Sequence, residues 1–234
     1  MKGSQSGSLD LDTDKTPEVE SGMAMLAIDP GTEKSVWMLY DGSSNRPIVD
    51  MGIEPNGDVL HRIRAARGKV SHVVIEMVAS YGGPVGVTTF ETVCWIGRFA
   101  QLSTTLGIPP SRLYRKGKDG ICKHICHSSN AKDSHIRQAL IDRFGPGKER
   151  AIGTKKSPGP LYGVKTHLWS ALAIAVTATD KPGLLEQFPS SLTSTEVGRE
   201  FTDEQLLHYM LSWRGIDPGD ECEKCGGSGH RKEH

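Results

Sequence analysis

The sequence predicts an α/β domain in which a mixed five-stranded sheet is flanked by helices. Three short apolar segments near the start of the fold are joined by turns too short to contain a crossover helix, so we expect an antiparallel meander. Helical segments then alternate with strands, which is the pattern of a parallel sheet. A late helix carries an apolar stripe that must pack against this sheet.

The first half of the fold begins at Met23 and follows strand and turn patterns. The segments MLAIDPG, SVWMLYDG and RPIVDMGI are predicted as strands, and the first two end in Asp-Pro-Gly and Asp-Gly turns. A helix is predicted over 57–67. The β-branched segment HVVIEM is typical of a buried parallel strand, and a Gly/Pro loop, ASYGGPVG, follows it.

The second half alternates helices with one strand and one loop. Residues 87–106 are predicted as a helix. The residues at roughly helical spacing are Phe90, Val93, Cys94, Gly97, Ala100 and Gln101. SRLYRK is the fifth strand, and GICKHICH and DSHIRQALIDRF are helices, the second with Asn130 or Asp133 to cap its start and Gly145 to end it. Residues 146–163, rich in Gly, Pro and Lys, are predicted as a mobile loop.

The clearest helix is predicted over 164–179. Its apolar stripe consists of Leu168, Ala171, Leu172, Ala175 and Val176. The predicted domain spans 23–180. Residues 1–22, rich in Ser, Gly and acid, are expected to be disordered, and 181–234 form a C-terminal extension whose helix starts with a capping box at Thr202.

The composition of the 234 residues, 36% of them hydrophobic, is that of an ordinary soluble protein. No run approaches the roughly 18 apolar residues needed to span a bilayer, and the N-terminus lacks the order of a secretory signal. We therefore expect a cytoplasmic protein with no membrane partner. Five cysteines, an odd number, favour free thiols or a metal site over a disulfide framework.

Charge is segregated along the chain although the formal net charge is zero. Residues 112–156 contain twelve Lys/Arg and four Asp/Glu, whereas residues 180–234 contain six and eleven. A basic middle between acidic ends fits a surface that binds a polyanion, because only the part that contacts phosphates needs positive charge. Solvated surface helices are the alternative explanation of the same pattern.

Two acids stand at the ends of predicted strands, Asp29 after the first and Glu76 after a later one. Sites form at the ends of strands in such sheets. Two neighbouring carboxylates repel each other unless a cation lies between them, which favours a hard divalent ion such as Mg²⁺. Taken singly, Asp29 could be only a turn residue and Glu76 only a surface acid.

Several motifs together resemble the RuvC family of Holliday junction resolvases. They are AIDPG, VVIEM and, in a late helix, ALAIAV; KDSHIRQALIDRFG and GPLYGVKTHLWSALAIAVTATD are similar to resolvases carried by bacteriophages. The resemblance covers about residues 24–180. It implies an RNase H-like fold, dependence on Mg²⁺ or Mn²⁺, and a homodimer that nicks opposite strands of a four-way DNA junction, in the cytosol of a bacterial host if the protein is phage-encoded.

The resemblance also implies a ligand set. Asp29 and Glu76 match the first two metal-binding acids of the family, and His167 falls on the third position, where members carry Asp or His. The fourth position, normally Asp, is Ser170 here, which supplies no charge. Asp133 is a candidate for the missing acid, with a helix N-cap as its alternative role. His167 could serve as a ligand or as a base for the attacking water.

Contacts to DNA are predicted for one aromatic residue and for the basic middle of the chain. Tyr81 lies in the loop after Glu76, where the RuvC family places a side chain against exposed bases, and an aromatic ring suits such stacking. A plain turn tyrosine is the alternative. The predicted phosphate contacts are Arg115, Lys116, Lys118, Lys123, Lys132, Arg137, Lys155 and Lys156.

The segment CEKCGGSGHRKEH is a candidate zinc site. It places Cys222, Cys225, His230 and His234 at a spacing that could hold one tetrahedral ion. It is also one half of a C-x-x-C-x-G-x-G unit that usually works in pairs, so a disordered tail is the alternative. The Cys and His residues of GICKHICH match no familiar zinc module, and we expect them to be buried in a helix instead.

The predicted function is therefore a structure-selective endonuclease that hydrolyses phosphodiesters in branched DNA, with no covalent enzyme intermediate. One alternative is an RNase H-like nuclease acting on RNA or RNA–DNA hybrids. A second, suggested by Ser170, is a protein that binds branched DNA without cutting it. A third is an actin-like ATPase, since IDPGTEKS also resembles a phosphate loop of that fold, although its second Gly-rich segment is missing.

Overall fold

A six-stranded mixed sheet forms the centre of the molecule. The computed structural model describes residues 24–79 and 85–188, and its strands follow the order β3-β2-β1-β4-β5-β6. The strands are β1 (Ala24–Asp29), β2 (Lys34–Tyr40), β3 (Ile48–Pro55), β4 (Val70–Met77), β5 (Pro110–Tyr114) and β6 (Glu186–Gln187).

The strand directions bring three carboxyl ends to one edge of the sheet. Strands β1, β2 and β3 form the antiparallel meander, whereas β4 is parallel to β1 and β5 is parallel to β4. The mixed sheet with its flanking helices confirms the predicted fold class. It has a sixth strand because β6 pairs antiparallel with Ser111 and Arg112 of β5.

Helices cover both faces of the sheet. They are α1 (Asn56–Ala66), α2 (Val87–Thr105), α3 (Ile121–Cys126), α4 (Asp133–Phe144), α5 (Lys148–Ala151), α6 (Leu168–Asp180) and a 3-10 turn (Pro182–Leu184). Successive side chains of a strand point to opposite faces. Leu26 and Ile28 therefore pack with α1 and α2 in one core cluster, while Ala27 packs with α6 in the other.

Helix α6 is the most deeply buried helix among the described residues. Residues 171–178 are buried on every side of the helix, between the sheet and helices α3 and α4. The predicted apolar stripe is confirmed, and Ala173 and Ile174 on the other side are buried as well. The sheet on one side and helices α3 and α4 on the other therefore hold α6 in a fixed orientation.

Helix α2 is confirmed, but of the six residues noted at helical spacing only Ala100 is buried, and Val93 and Gln101 are half-buried. Phe90 is 62% exposed, and Cys94 and Gly97 are exposed too. The helix is instead turned so that Ile96 and Phe99 enter the core beside Thr92 and Ser103. Apolar residues occur on both sides of this helix, so spacing alone could not select the side that meets the sheet.

Three predicted boundaries differ from the structure. Helix α6 begins at Leu168 and not at residue 164, because Gly163 and Thr166 have positive φ angles of 88° and 48° that interrupt a right-handed helix. Neither Asn130 nor Asp133 caps α4: the N-cap residue is Lys132 and Asp133 is the first helical residue. The segment 146–163 contains the short helix α5 and a β-bridge between Gly153 and Pro158.

Several predictions lie outside the described residues. They concern the tail at 1–22, Tyr81, the helix that starts near Thr202 and the candidate zinc ligands of the C-terminal segment. Within residues 24–79 and 85–188, no helix is long and apolar enough to cross a membrane.

An ion-pair network fixes the C-terminal end of α6. Asp180 accepts hydrogen bonds from Arg143 of α4, at 2.7 Å from Nη2, and faces Nε2 of His124 of α3 at 2.9 Å. Burial raises the pKa of Asp180, but the hydrogen bonds from Arg143 and His124 outweigh burial and lower it. The network joins three helices through one carboxylate.

We expect Asp180→Ala to destabilise the protein by about 1–2 kcal/mol at pH 7, because two partners on other helices lose their acceptor. Since the folded-state pKa is lowered, this stabilisation is present above the unfolded pKa and is lost as pH falls through the folded one. Urea unfolding at pH 7 and pH 3 measures both effects. An equal loss at the two pH values would contradict the electrostatic explanation.

Candidate active site

Strand register brings two acids together at the carboxyl edge of the sheet. Strands β1 and β4 are parallel and Ile28 pairs with Ile75, so the next residues, Asp29 and Glu76, stand side by side. Alternation directs both carboxylates to the face covered by α6, because Ala27 and Val74, two residues earlier, pack in the core cluster of that face. The structure thus assembles the pair that the sequence pattern predicted.

Burial controls the protonation of this pair. Burial, and then the charge of Asp29, raise the pKa of Glu76 from 4.5 to about 7. Burial also raises the pKa of Asp29, against the opposite effects of Arg115, Ser170 and His167. Two carboxyl groups that resist ionisation side by side are stabilised in their charged form by a nearby cation.

Arg115 supplies one such positive charge. It directly follows β5, and its Nη1 atom lies 3.4 Å from Oε2 of Glu76 on the neighbouring strand. The other amino group donates a hydrogen bond to the carboxylate of Asp133 at the start of α4. Arg115 was predicted as a phosphate contact. Its place at the end of the SRLY strand segment was the sequence feature that pointed to the carboxyl edge of the sheet, whereas the pairing of β5 with β4 is seen only in the structure.

The backbone around Arg115 is held by the start of α3. Its carbonyl oxygen accepts a hydrogen bond of 2.9 Å from the Cys122 amide. A Cβ atom at Gly120 would lie 2.9 Å from that carbonyl oxygen and 2.7 Å from the carbonyl of Lys116. Only glycine lets α3 begin this close to the backbone of the arginine, so the side chain projects from a fixed point.

Ser170 and His167 approach the acids from the start of α6. The Ser170 hydroxyl lies near the Asp29 carboxylate and lowers the pKa of that acid. His167 is exposed immediately before the helix and acts electrostatically on Asp29. At the position where the resemblance to RuvC resolvases implies an acid, this chain therefore presents a hydroxyl without a charge.

A cleft of about 230 Å³ opens in front of these residues. Its charged and polar walls come from Arg115, Asp133, Ser134, Arg137, His167 and Ser170, and Trp169 supplies an aromatic wall. The Arg137 guanidinium lies 5.3 Å from the centre of the Trp169 ring, within the range of a cation–π contact. Two arginines therefore face the cleft, and one of them, Arg115, contacts Glu76.

The donor set fits a divalent cation at the acid pair. Asp29 and Glu76 are oxygen donors, both largely buried, and the charge of Asp29 disfavours the ionisation of Glu76. Among the residues that the structure describes, no group of three or more His, Cys, Asp or Glu side chains is arranged to hold a metal ion. His167 and Asp133 lie at the rim of the cleft, and their roles as ligands remain predictions.

The other predicted contact residues lie on the surface. Lys116, Lys118 and Lys132 are exposed around the starts of α3 and α4, and Lys155 and Lys156 are exposed in the turn that the bridge between Gly153 and Pro158 closes. Lys123 is exposed on α3 and its ammonium group contacts the His127 carbonyl oxygen. Their role in binding DNA remains a prediction.

The Cys and His residues of α3 have other partners than a metal. The Cys122 thiol is buried and lies 3.7 Å from the Ala131 carbonyl oxygen, while His124 pairs with Asp180. Cys126 is half-buried and His127 ends the helix with a φ angle of 57°. The predicted burial in a helix is therefore confirmed for Cys122, whereas His124 and Cys126 are half-buried and His127 is exposed.

Of the comparisons with known proteins, the one with solved structures found similar proteins. No protein-family model and no curated protein sequence matches it. Thermus thermophilus RuvC in complex with a Holliday junction substrate is similar, with 16% identity, a TM-score of 0.49 and coverage of 71% of this chain and 99% of the other. A second Thermus thermophilus RuvC structure has 16% identity, a TM-score of 0.47 and coverage of 71% and 100%. At this identity the likeness concerns the fold and not the activity.

Proposed function

We propose that this chain is a metal-dependent endonuclease that cuts branched DNA, with four-way junctions as its main substrate. The observation that carries the proposal is the largely buried pair of Asp29 and Glu76 at the ends of adjacent parallel strands, with Arg115, which contacts Glu76, lining a cleft beside the pair. A divalent cation bound between the two acids would stabilise their negative charges, and the bound cation could in turn act on an anionic phosphodiester. The resemblance of the sequence motifs to RuvC resolvases supports the same substrate.

Each residue of the site has a defined part in this proposal. Asp29 and Glu76 would hold the divalent ion, which activates water and stabilises the leaving oxygen of a phosphodiester. Ser170 presents its hydroxyl near the Asp29 carboxylate and favours the charged form of that acid. His167, exposed beside Asp29, is placed to accept a proton from the attacking water.

Substrate binding depends on charge around the cleft. Arg137 lies against Trp169 in the cleft wall, so its guanidinium is held where a phosphate can reach it. The exposed lysines around α3, α4 and the 153–158 turn extend the positive surface outward. Symmetric nicking of a four-way junction needs two such sites, so we propose a homodimer, acting in the cytoplasm.

A comparison of substrates tests the proposal. The protein is incubated with a four-way junction, a flap, an RNA–DNA hybrid and a linear duplex of matched sequence, in Mg²⁺ and in Mn²⁺. We expect symmetric nicks in the junction and slower or no cutting of the duplex. Preferential cutting of the hybrid would instead identify an RNase H-like nuclease.

A second candidate function is a protein that binds branched DNA without cutting it. The hydroxyl of Ser170 in place of an acid, and the engagement of Asp133 by Arg115, are the observations that favour it. Junction binding in Ca²⁺ together with no nicking in Mg²⁺ or Mn²⁺ would support this function. The same result would exclude the nuclease.

We expect Lys155→Glu combined with Lys156→Glu to weaken junction binding and to reduce the slope of log K against log salt by roughly two, one for each phosphate that a lysine no longer neutralises. Binding titrations in Ca²⁺ at several salt concentrations measure the slope. Arg67→Glu with Lys69→Glu is the matched control, because these exposed residues lie just before β4, at the opposite edge of the sheet from Glu76. Equal slopes in the two double variants would exclude the assignment.

A further inference from the structure

One carboxylate of this chain lies on a guanidinium at the mouth of the cleft. Asp133 is the first residue of α4, and its carboxylate accepts a hydrogen bond from Nη2 of Arg115. The Asp133 side chain is 85% exposed, whereas that of Arg115 is 24% exposed. An anion that approached Nη2 from solution would therefore compete with Asp133 for it.

Of the two partners, Arg115 is the fixed one. Its other amino group lies 3.4 Å from Oε2 of Glu76, and its backbone carbonyl oxygen accepts a hydrogen bond from the Cys122 amide. Asp133 has no comparable support, because an ion pair with an exposed acid contributes little to stability. Asp133 is therefore the partner that can leave while Arg115 stays beside Glu76.

A second guanidinium lies in the same cleft. Arg137 is four residues after Asp133 on α4, so the two side chains share a face of the helix. The Arg137 guanidinium lies 5.3 Å from the centre of the buried ring of Trp169. Within residues 24–79 and 85–188, no acid forms an ion pair with Arg137. The cleft thus has a cation that Asp133 does not use.

A phosphodiester suits these two guanidinium groups better than a single carboxylate does. The planar donors of an arginine match the oxygen atoms of a phosphate, and such contacts are strong because both groups are charged. The cleft has a volume of about 230 Å³, and the Ser134 hydroxyl adds a further donor to its wall. A water molecule takes up roughly 30 Å³ in the liquid, so a phosphate group fits this volume.

We infer that Nη2 of Arg115 and the guanidinium of Arg137 form a phosphate-binding subsite, which Asp133 fills until a phosphodiester of DNA displaces it. The inference rests on the proposed function, since that function makes DNA the source of the phosphate. The other amino group of Arg115 stays at Glu76, so the bound phosphate lies next to the acid pair. Asp133 is then a competitor of the substrate and not a metal ligand.

Junction binding in Ca²⁺ at several salt concentrations tests the inference. Asp133→Asn should bind a four-way junction roughly three- to tenfold more tightly than wild type, because the phosphate no longer competes with an internal anion. The slope of log K against log salt should steepen by roughly one, since Arg115 has lost its internal partner and exchanges a counterion for the phosphate instead.

Asp142→Asn is the matched control. It removes the same charge from the same helix, but Asp142 is exposed and accepts its hydrogen bond from the uncharged Gln138, at 2.8 Å. No cation is freed by this substitution. The affinity for the junction should therefore change by less than about twofold, and the salt slope should stay at its wild-type value.

A double variant separates a local effect from a general effect of charge. When Arg115→Gln is already present, Asp133→Asn should change junction affinity no more than Asp142→Asn does, because the contact it would release is gone. If Arg115→Gln does not fold, the single variants of the two exposed acids decide the matter. Equal affinities and slopes in Asp133→Asn and Asp142→Asn would overturn the inference, as would weaker binding and lost nicking in Asp133→Asn, the result expected of a metal ligand.

Nicking by wild type in Mg²⁺ and Mn²⁺ is recorded separately. Junction binding without nicking, together with tighter binding by Asp133→Asn, would reject the proposed nuclease and keep the phosphate subsite. Nicking by wild type with no gain of affinity in Asp133→Asn would reject the subsite alone. Absence of junction binding in every protein would overturn both.

Discussion

Asp29→Asn is expected to lower junction nicking at least roughly 10³-fold while the protein stays folded. Removal of one of the two buried oxygen ligands removes the bound cation, whose contribution to the transition state is several kcal/mol. The amide keeps the shape of the side chain. It also removes one of the two repelling charges, so folding should not suffer.

Single-turnover nicking of a four-way junction in Mg²⁺ measures the effect, and junction binding in Ca²⁺ shows whether the variant is intact. Asp50→Asn is the matched control, since Asp50 is an exposed acid on β3, away from the carboxyl ends of β1 and β4. Nicking by Asp29→Asn at the wild-type rate, with binding retained, would remove Asp29 from the metal site and with it the main support for the proposed nuclease.

The sequence predicted the acid pair because two local patterns were enough. Each acid ends a run of β-branched or apolar residues, and strand ends in a mixed sheet meet at one edge. The strands were predictable because burial on both faces of a sheet leaves continuous apolar runs. The stripe of α6 was predictable because a helix that packs on a sheet repeats apolar residues at helical spacing. The register between β1 and β4, which places Asp29 beside Glu76, could not be predicted from the sequence and is seen only in the structure.

Other features depended on tertiary context. A count of basic residues cannot separate an arginine at a strand end from one that faces solvent, so Arg115 was assigned to phosphates although it lies against Glu76. The side of α2 that meets the sheet was missed because Phe90 and Ile96 are both apolar and lie on different sides. The start of α6 was missed because a positive φ at Thr166 has no mark in the sequence.

The second large effect concerns stability and pH at Glu76. In the absence of divalent ions, Glu76→Gln should be more stable than wild type at pH 8 and nearly equal to it at pH 4. Burial and the charge of Asp29 raise the folded-state pKa of Glu76 from 4.5 to about 7. The folded protein then binds more protons than the unfolded chain between these values, so wild-type stability falls as pH rises through this window.

The full shift corresponds to about 3 kcal/mol, reached above pH 7. Urea unfolding in EDTA from pH 4 to pH 8 measures the difference between the two proteins. Glu54→Gln is the matched control of opposite sign, because the hydrogen bond from Arg62 lowers the pKa of Glu54 and its removal should destabilise the protein at high pH.

Mg²⁺ should stabilise wild type at pH 8 and leave Glu76→Gln nearly unchanged, since the ion offsets the repulsion that the variant no longer has. If the difference in the free energy of unfolding between wild type and Glu76→Gln did not change with pH, the pKa of Glu76 would not be raised in the folded protein. The acid pair would then not need a cation to offset its repulsion.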